Sequence, residues 1–149
     1  MARYRSLLAF VLAAITVLAV GCSGANVSLP ATYTTDQIAE IQVYTPRVTE
    51  LRDRFPELED YIQNKDWVNI RSFTHGPMGQ LRVRLGQVAV RLLPQDAKQA
   101  KALADDLAVC LERLDAAAAN FNQIESGKQY RLALDDFDEF LSLIPQETS

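Results

Sequence analysis

From Thr35 onward, apolar residues recur at intervals of three and four positions, which is the period of an amphipathic helix. This spacing predicts four helices, at about residues 35–55, 66–92, 95–124 and 127–144. No segment alternates apolar and polar residues as a half-buried strand does. Amphipathic helices bury their apolar stripes against one another, so the pattern predicts an all-α fold, an up-down-up-down four-helix bundle over residues 35–149.

Capping residues and prolines mark the expected ends of the first two helices. Thr35 and Asp66 are both residue types that cap helix amino termini. Pro56 is expected to end the first helix, because a residue before proline avoids the helical region, and a short turn is expected over Glu57–Gln63. Gly76-Pro77 predicts a kink or local break inside the second helix.

The third helix has the clearest apolar stripe. Ser126-Gly127 is expected to break the chain after it, and Pro145 to mark the end of the fourth helix. The inward positions predicted for the third helix are Leu103, Leu107, Cys110, Leu114, Ala117 and Phe121.

The first 21 residues have a different character. A cationic start, with Arg3 and Arg5, precedes an apolar run from Leu7 to Gly21 in which only Thr16 is polar. A helix of that length spans about 22 Å at ~1.5 Å per residue, short of the ~30 Å hydrocarbon core. Residues 1–21 are therefore predicted to be a cleaved signal peptide.

The residues at the end of this run resemble a bacterial lipobox, Leu18-Ala19-Val20-Gly21-Cys22, although Ala19 stands where that pattern most often has leucine. The resemblance implies that Cys22 is acylated and becomes the first residue of the mature chain. The alternative is an ordinary secretory protein with a chance cysteine here. Residues 22–34 are small and polar, and are predicted to form a flexible tether.

Charge and cysteine content limit the function classes. Without Arg3 and Arg5 the chain has 13 basic and 19 acidic residues, a net charge of −6, which is unfavourable for binding nucleic acid. If Cys22 carries lipid, Cys110 has no partner for an intramolecular disulfide and is predicted to be a core residue.

The sequence offers no set of catalytic or cofactor-binding residues. His75 is the only histidine, which excludes a di-iron bundle and leaves haem and zinc without a sufficient ligand set. Neither a Gly-x-Ser-x-Gly turn nor a Gly-x-Gly phosphate loop is present. We therefore expect a protein that is not an enzyme and has no metal, cofactor or small-molecule substrate.

Charges are unevenly distributed along the helical part of the chain. Residues 66–101 contain six basic and two acidic residues, whereas residues 102–149 contain three basic and ten acidic residues. Such segregation favours electrostatic docking on a complementary surface. Ordinary solubilising charge is the alternative interpretation.

A run of residues in the second predicted helix resembles the PsbQ family of photosystem II extrinsic subunits, in particular its cyanobacterial lipoprotein branch. The family has a similar tryptophan, an Ile-Arg-Ser-like run and then Gly-Pro-small-Gly. The matching residues here are Tyr61-Ile62-Gln63, Asp66-Trp67, Ile70-Arg71-Ser72-Phe73-Thr74-His75-Gly76-Pro77-Met78-Gly79 and Leu81-Arg82.

The resemblance implies a non-catalytic subunit, lipid-anchored to the thylakoid membrane on its lumenal side. It would dock on the lumenal face of photosystem II near the PsbO subunit and the CP47 antenna protein. There it would stabilise the assembled oxygen-evolving complex and support calcium and chloride retention. A generic exported lipoprotein that serves as adaptor or assembly factor for another membrane complex is the alternative.

Five residues are predicted to contact the partner. Arg71 and Arg82 lie in the matching motif, whereas Arg84 and Arg91 are chosen from charge alone. Trp67 is expected to belong to the core and not to the interface. The predicted contact residues are Arg71, His75, Arg82, Arg84 and Arg91.

Overall fold

The computed structural model of the protein describes residues 32–146. This range is helical and contains no strand, which confirms the all-α prediction. Cys22 and the predicted signal peptide lie outside the described residues. The helices are α1 (Thr35–Asp53), α2 (Phe55–Gln63), α3 (Trp67–His75), α4 (Leu81–Ala89), α5 (Pro94–Ala119) and α6 (Gln123–Ser142), with a 3₁₀ helix, η1, at Pro77–Gln80.

The first predicted helix corresponds to α1, but the turn predicted over residues 57–63 is wrong, because these residues form helix α2. Helix α1 ends at Asp53, Arg54 forms the junction, and α2 begins at Phe55. Pro56 lies in the first turn of α2, where a missing N–H leaves no hydrogen bond unmade. The proline therefore starts a new helix at the point where it was expected only to end the old one.

Helix α1 is capped by Thr34 and not by Thr35. The Thr34 hydroxyl accepts a hydrogen bond from the Gln37 N–H, and the Gln37 side chain accepts one from the Thr34 N–H, which completes a capping box. The predicted cap at Asp66 is confirmed, since its carboxylate accepts from the Asn69 N–H at 3.2 Å.

The break predicted at Gly76-Pro77 is also confirmed. Helix α3 ends at His75, and the η1 turn joins it to α4. The Gly76 N–H donates to the Ser72 carbonyl at 2.9 Å, so the last turn of α3 closes before the proline interrupts the helical pattern.

The break predicted at Ser126-Gly127 is wrong, because both residues lie inside α6. The chain turns at Asn120–Asn122, and the Asn122 side chain caps α6 by accepting from the Glu125 N–H. Ser126 is buried, with its hydroxyl donating to the Asn122 carbonyl at 2.8 Å.

Phe121 is 71% exposed, which contradicts its predicted place on the apolar stripe of α5. It has a φ of 57°, in the left-handed region, immediately after the end of α5. The N–H groups of Phe121 and Asn122 donate to the carbonyls of Ala118 and Ala117, a Schellman motif whose left-handed position is usually glycine. A bulky residue in this conformation costs about 1–2 kcal/mol.

The core runs the length of the bundle between the helices. Aromatic side chains fill its centre, where Phe55 and Phe137 meet edge to face with ring centroids 5.3 Å apart. Cys110 is buried in the core, as predicted. Trp67 is partly buried and packs against the margin of the core. Among the described helices, none is long and apolar enough to cross a membrane.

Different hydrogen bonds hold the helices together at the two ends of the described bundle. At one end, the Tyr33 hydroxyl donates to Asp96 and accepts from the Leu93 N–H, which holds the start of α1 against the α4–α5 connection. At the other end, the Gln123 amide donates to the carbonyls of Ile62 and Gln63. This second end, residues 64–68 and 120–124, is called the turn tip.

Gly76→Ala is expected to lower the free energy of unfolding by about 1–3 kcal/mol, the usual range for overpacking. A Cβ at this position would lie 2.7 Å from the Ser72 carbonyl oxygen, so backbone would have to move. Gly79→Ala is the matched control, because a Cβ there has no neighbour within 4 Å. Urea denaturation followed by circular dichroism measures both, and an equal loss in the two variants would contradict this explanation.

The Cys110 thiol is expected to be unreactive in the folded protein. Burial raises its pKa, and the neighbouring carboxylate of Asp136 raises it further, so little thiolate forms. The measurement uses a Cys22→Ser chain and a disulfide reagent at mildly alkaline pH. The reagent should modify Cys110 at least about tenfold more slowly than the thiol of an added Ala102→Cys substitution, which lies on the exposed face of α5. Similar rates in the folded protein would contradict the prediction; in denaturant the rates should converge.

Candidate functional site

Three of the five predicted contact residues lie along the face where α3, η1 and α4 pack against α5. Asp115 on α5 accepts from Arg71 at 3.3 Å and from the Thr74 hydroxyl at 3.2 Å. His75 Nε2 lies 3.1 Å from the same carboxylate oxygen, a contact that is an ion pair only when the imidazole is protonated. Three side chains of α3 therefore converge on a single carboxylate of α5.

Further along the same face, Arg82 on α4 pairs with Asp105 on α5 at 3.0 Å. Between this pair and Asp115 lies a half-open cavity of about 380 Å³, which we call the α3–α5 groove. Its lining includes apolar Met78, Leu81, Ala108 and Leu111 and polar Thr74, His75, Arg82, Glu112 and Asp115, with Gly79 at its edge.

The groove follows from the helix break. If α3 and α4 were one continuous helix, each of its turns would place side chains against α5. The η1 segment instead places Gly79, which has no side chain, beside the groove. The exposed side chains at its rim remain accessible, since His75 is 68% exposed and Arg82 is 59% exposed.

The other two predicted contact residues point toward α1. Arg91 donates to Glu40 at 3.0 Å and to the Tyr44 hydroxyl at 2.8 Å, and its guanidinium lies 3.7 Å from the centroid of the Tyr44 ring. Arg84 donates to the Arg47 carbonyl at 3.4 Å. The structure therefore places Arg71, His75 and Arg82 on one face and Arg84 and Arg91 on another.

Arg91 is already engaged within the bundle. Its side chain is 24% exposed, and its Nη1 group also donates to the Gln87 carbonyl at 2.6 Å. Contacts from one guanidinium to two helices are typical of a residue that joins α4 to α1.

Carboxylates dominate the opposite side of the molecule, where α5 and α6 meet. Burial, and then the charge of Asp106, raise the pKa of the Asp136 carboxyl. Asp138 differs because Arg52 donates two hydrogen bonds to it, at 2.6 and 2.9 Å, which lower its pKa. Asp106 and Asp136 thus lie close together on this surface without an ion-pair partner within residues 32–146, whereas the α3–α5 groove has charges of both signs.

Within residues 32–146, no three histidine, cysteine or carboxylate side chains converge as metal ligands would. The one buried side-chain atom in this range without a hydrogen-bond partner is Oε1 of Gln129, whose amide nitrogen donates to Glu125 at 2.6 Å. The arrangement along the groove is suited to ionic contacts with another surface.

Sequence reasoning missed the apolar side chains at the turn tip. Trp67 and Phe121 meet there edge to face, with ring centroids 5.8 Å apart, although Trp67 begins α3 and Phe121 lies in the connection between α5 and α6. The signal that could have found this turn is the pair of asparagines on either side of Phe121, since asparagine favours helix caps and turns.

Comparison with known proteins gives two findings that cover nearly the whole chain. The model of the PsbQ family, described as oxygen evolving enhancer protein 3, matches residues 2–145. The protein CyanoQ of Synechocystis sp. is 43% identical over 147 residues, which are 98% of this chain and 99% of the relative. The matched range includes the groove and all five predicted contact residues, and the chain belongs to the PsbQ family.

Proposed function

We propose that this chain is a non-catalytic extrinsic subunit of photosystem II on the lumenal side of the thylakoid membrane. The observation that carries the proposal is the match to the PsbQ family, together with 43% identity to CyanoQ along nearly the full length of both chains. The α3–α5 groove, which offers ionic contacts of both signs, agrees with a docking role.

An up-down-up-down bundle is part of this proposal. Contacts between α1 and α4 join residue 40 to 91 and 47 to 84, as expected if these helices are antiparallel. Between α3–α4 and α5 they join 71 to 115 and 82 to 105. Between α1–α2 and α6 they join 42 to 145, 52 to 138 and 62 to 123.

The docking face in this proposal is centred on Arg71, His75 and Arg82. Exposed ion pairs of the kind they form contribute at most about 1 kcal/mol each. Exchanging Asp105, whose side chain is 67% exposed, for a carboxylate of the partner therefore costs little. Asp115 is only 20% exposed, but it keeps the Thr74 hydroxyl as a hydrogen-bond donor if Arg71 turns to the partner, and such exchanges would open the groove to the partner's side chains. Arg84 and Arg91 would contribute from the neighbouring face. The PsbO subunit and the CP47 antenna protein are the partners proposed.

Binding of this subunit would stabilise the assembled complex by mass action. A subunit that binds only the assembled complex shifts the equilibrium toward assembly, and by this route it would support calcium and chloride retention. Acylated Cys22 would hold the chain at the membrane and raise its local concentration there, so that a modest protein contact suffices.

The central test is purification of a carboxyl-terminally tagged chain from thylakoid membranes. Photosystem II is expected to co-purify with the tagged protein. Recovery of a different membrane complex in its place would favour a generic lipoprotein adaptor and would contradict the proposal.

Reversing two charges at the groove, Arg71→Glu with Arg82→Glu, should reduce the photosystem II recovered by about tenfold, equivalent to ~1.4 kcal/mol. The matched control is Lys98→Glu with Lys101→Glu, which changes the net charge equally on exposed positions of α5 away from the groove. Circular dichroism should report the same helicity in both variants. Equal recovery in the two would exclude the groove as the docking face.

Cys22→Ser should release the protein from membranes from which photosystem II has been removed. Two acyl chains give durable attachment, and the domain's net negative charge provides no electrostatic substitute. Fractionation of washed membranes, with the unchanged chain as control, measures the release. Undiminished attachment of the Cys22→Ser chain would exclude the lipid anchor.

A further inference from the structure

The turn tip carries the three most exposed of the large apolar side chains within the described residues. Phe121, Ile124 and Val68 are 71%, 86% and 76% exposed. Val68 follows Trp67 in the first turn of α3, and Ile124 lies in the first turn of α6. The Trp67–Phe121 contact and the hydrogen bonds from Gln123 to Ile62 and Gln63 hold the two turns side by side.

Phe121 is unfavourable for the stability of the isolated chain on two counts. It occupies a left-handed position that glycine fills without strain, and most of its ring is in contact with water. The contact with the Trp67 ring offers only partial compensation. Strained backbone positions with exposed aromatic side chains are typical of binding surfaces, where the partner supplies the missing burial.

We propose that the turn tip inserts into a concave apolar pocket on a protein of the lumenal complex, with Phe121 and Ile124 as its anchors. This inference rests on the proposed function and adds a second contact, at a distance from the α3–α5 groove. The pocket is expected to carry a carboxylate opposite Lys65, which is exposed and forms none of the ion pairs found within residues 32–146.

The exposed area argues against a second copy of the chain as the occupant. The apolar side chains of the tip expose on the order of 400 Å². Two tips in contact would bury roughly 800 Å², below the ~1,200 Å² of a specific and stable interface. A concave partner also covers the polar rim of the tip and can therefore reach that size.

The charge of the domain argues against a lipid surface. The chain without its predicted signal has a net charge of −6, which disfavours approach to anionic lipid. The tip also lies at the far end from Tyr33, where the amino-terminal segment enters the fold, and α5 of 26 residues separates the two ends by about 39 Å. A protein partner is the occupant that both observations favour.

The test uses the full chain with a carboxyl-terminal tag and three variants. Phe121→Gly removes the anchor and relieves the left-handed strain, Ile124→Ser removes the second anchor, and Val90→Ser is the control. Val90 is 62% exposed at the end of α4, close to the opposite end of the bundle. The readouts are the photosystem II recovered and the melting temperature of each purified variant.

We expect Phe121→Gly and Ile124→Ser to recover at least about tenfold less complex, whereas Val90→Ser recovers as much as the unchanged chain. The melting temperature of Phe121→Gly should be equal or higher, since glycine suits its backbone position. Reduced recovery with a lowered melting temperature in both tip variants would instead indicate a structural role and would overturn the inference.

Other outcomes separate this inference from the proposed function. If the unchanged chain recovers photosystem II and both tip variants recover it equally well, the tip inference is wrong and the proposed function stands. If the unchanged chain recovers none, the proposed function fails and the inference fails with it. Binding to vesicles of phosphatidylcholine and phosphatidylglycerol, or self-association, that is lost in Phe121→Gly would identify a different occupant and overturn the inference.

Discussion

Helix α5 packs against α3, α4 and α6, and the rest of the described fold depends on that packing. Its stripe of buried residues, from Ala100 to Ala118, removes apolar surface from water along nearly the whole length of the bundle. Leu107 and Leu114 in this stripe are fully buried. Helices α3 and α4 are nine residues each, too short to be stable alone in water, so they depend on α5 to hold their places.

This dependence explains how the surface can be adapted for binding without loss of the fold. The hydrophobic core supplies the stability, whereas the arginines that form ion pairs across the groove are more than half exposed, and pairs of this kind are individually weak. Arg71 and Arg82 can therefore exchange one carboxylate for another at small cost. Arg91 is different, because its guanidinium is only 24% exposed and its hydrogen bonds to Glu40 and Tyr44 hold α4 against α1. Basic residues of one sequence segment thus have different roles that their charge does not distinguish.

The sequence predicted what periodicity determines and missed what local turn chemistry determines. Burial of Cys110 and the break at Gly76 follow from apolar spacing and from the lack of an N–H on proline. The start of α2 at Phe55 and the turn at Phe121 do not follow from these signals. Pro56 left the start of α2 undecided, because proline is compatible with either the end or the first turn of a helix. Spacing alone assigned Phe121 to the core, since a left-handed residue changes the direction of the chain without interrupting the apolar pattern.

The candidate site could be predicted from the sequence only in part. Charge along the sequence identified a basic segment, but only the packing shows that Arg71, His75 and Arg82 face α5, while Arg84 and Arg91 face α1. Helical geometry alone does not decide which side of a basic helix meets its neighbour. A subunit with a weakly paired groove along one face and an apolar tip at one end can fix both its position and its orientation on a larger complex, because two separated contacts restrain rotation that either contact alone permits.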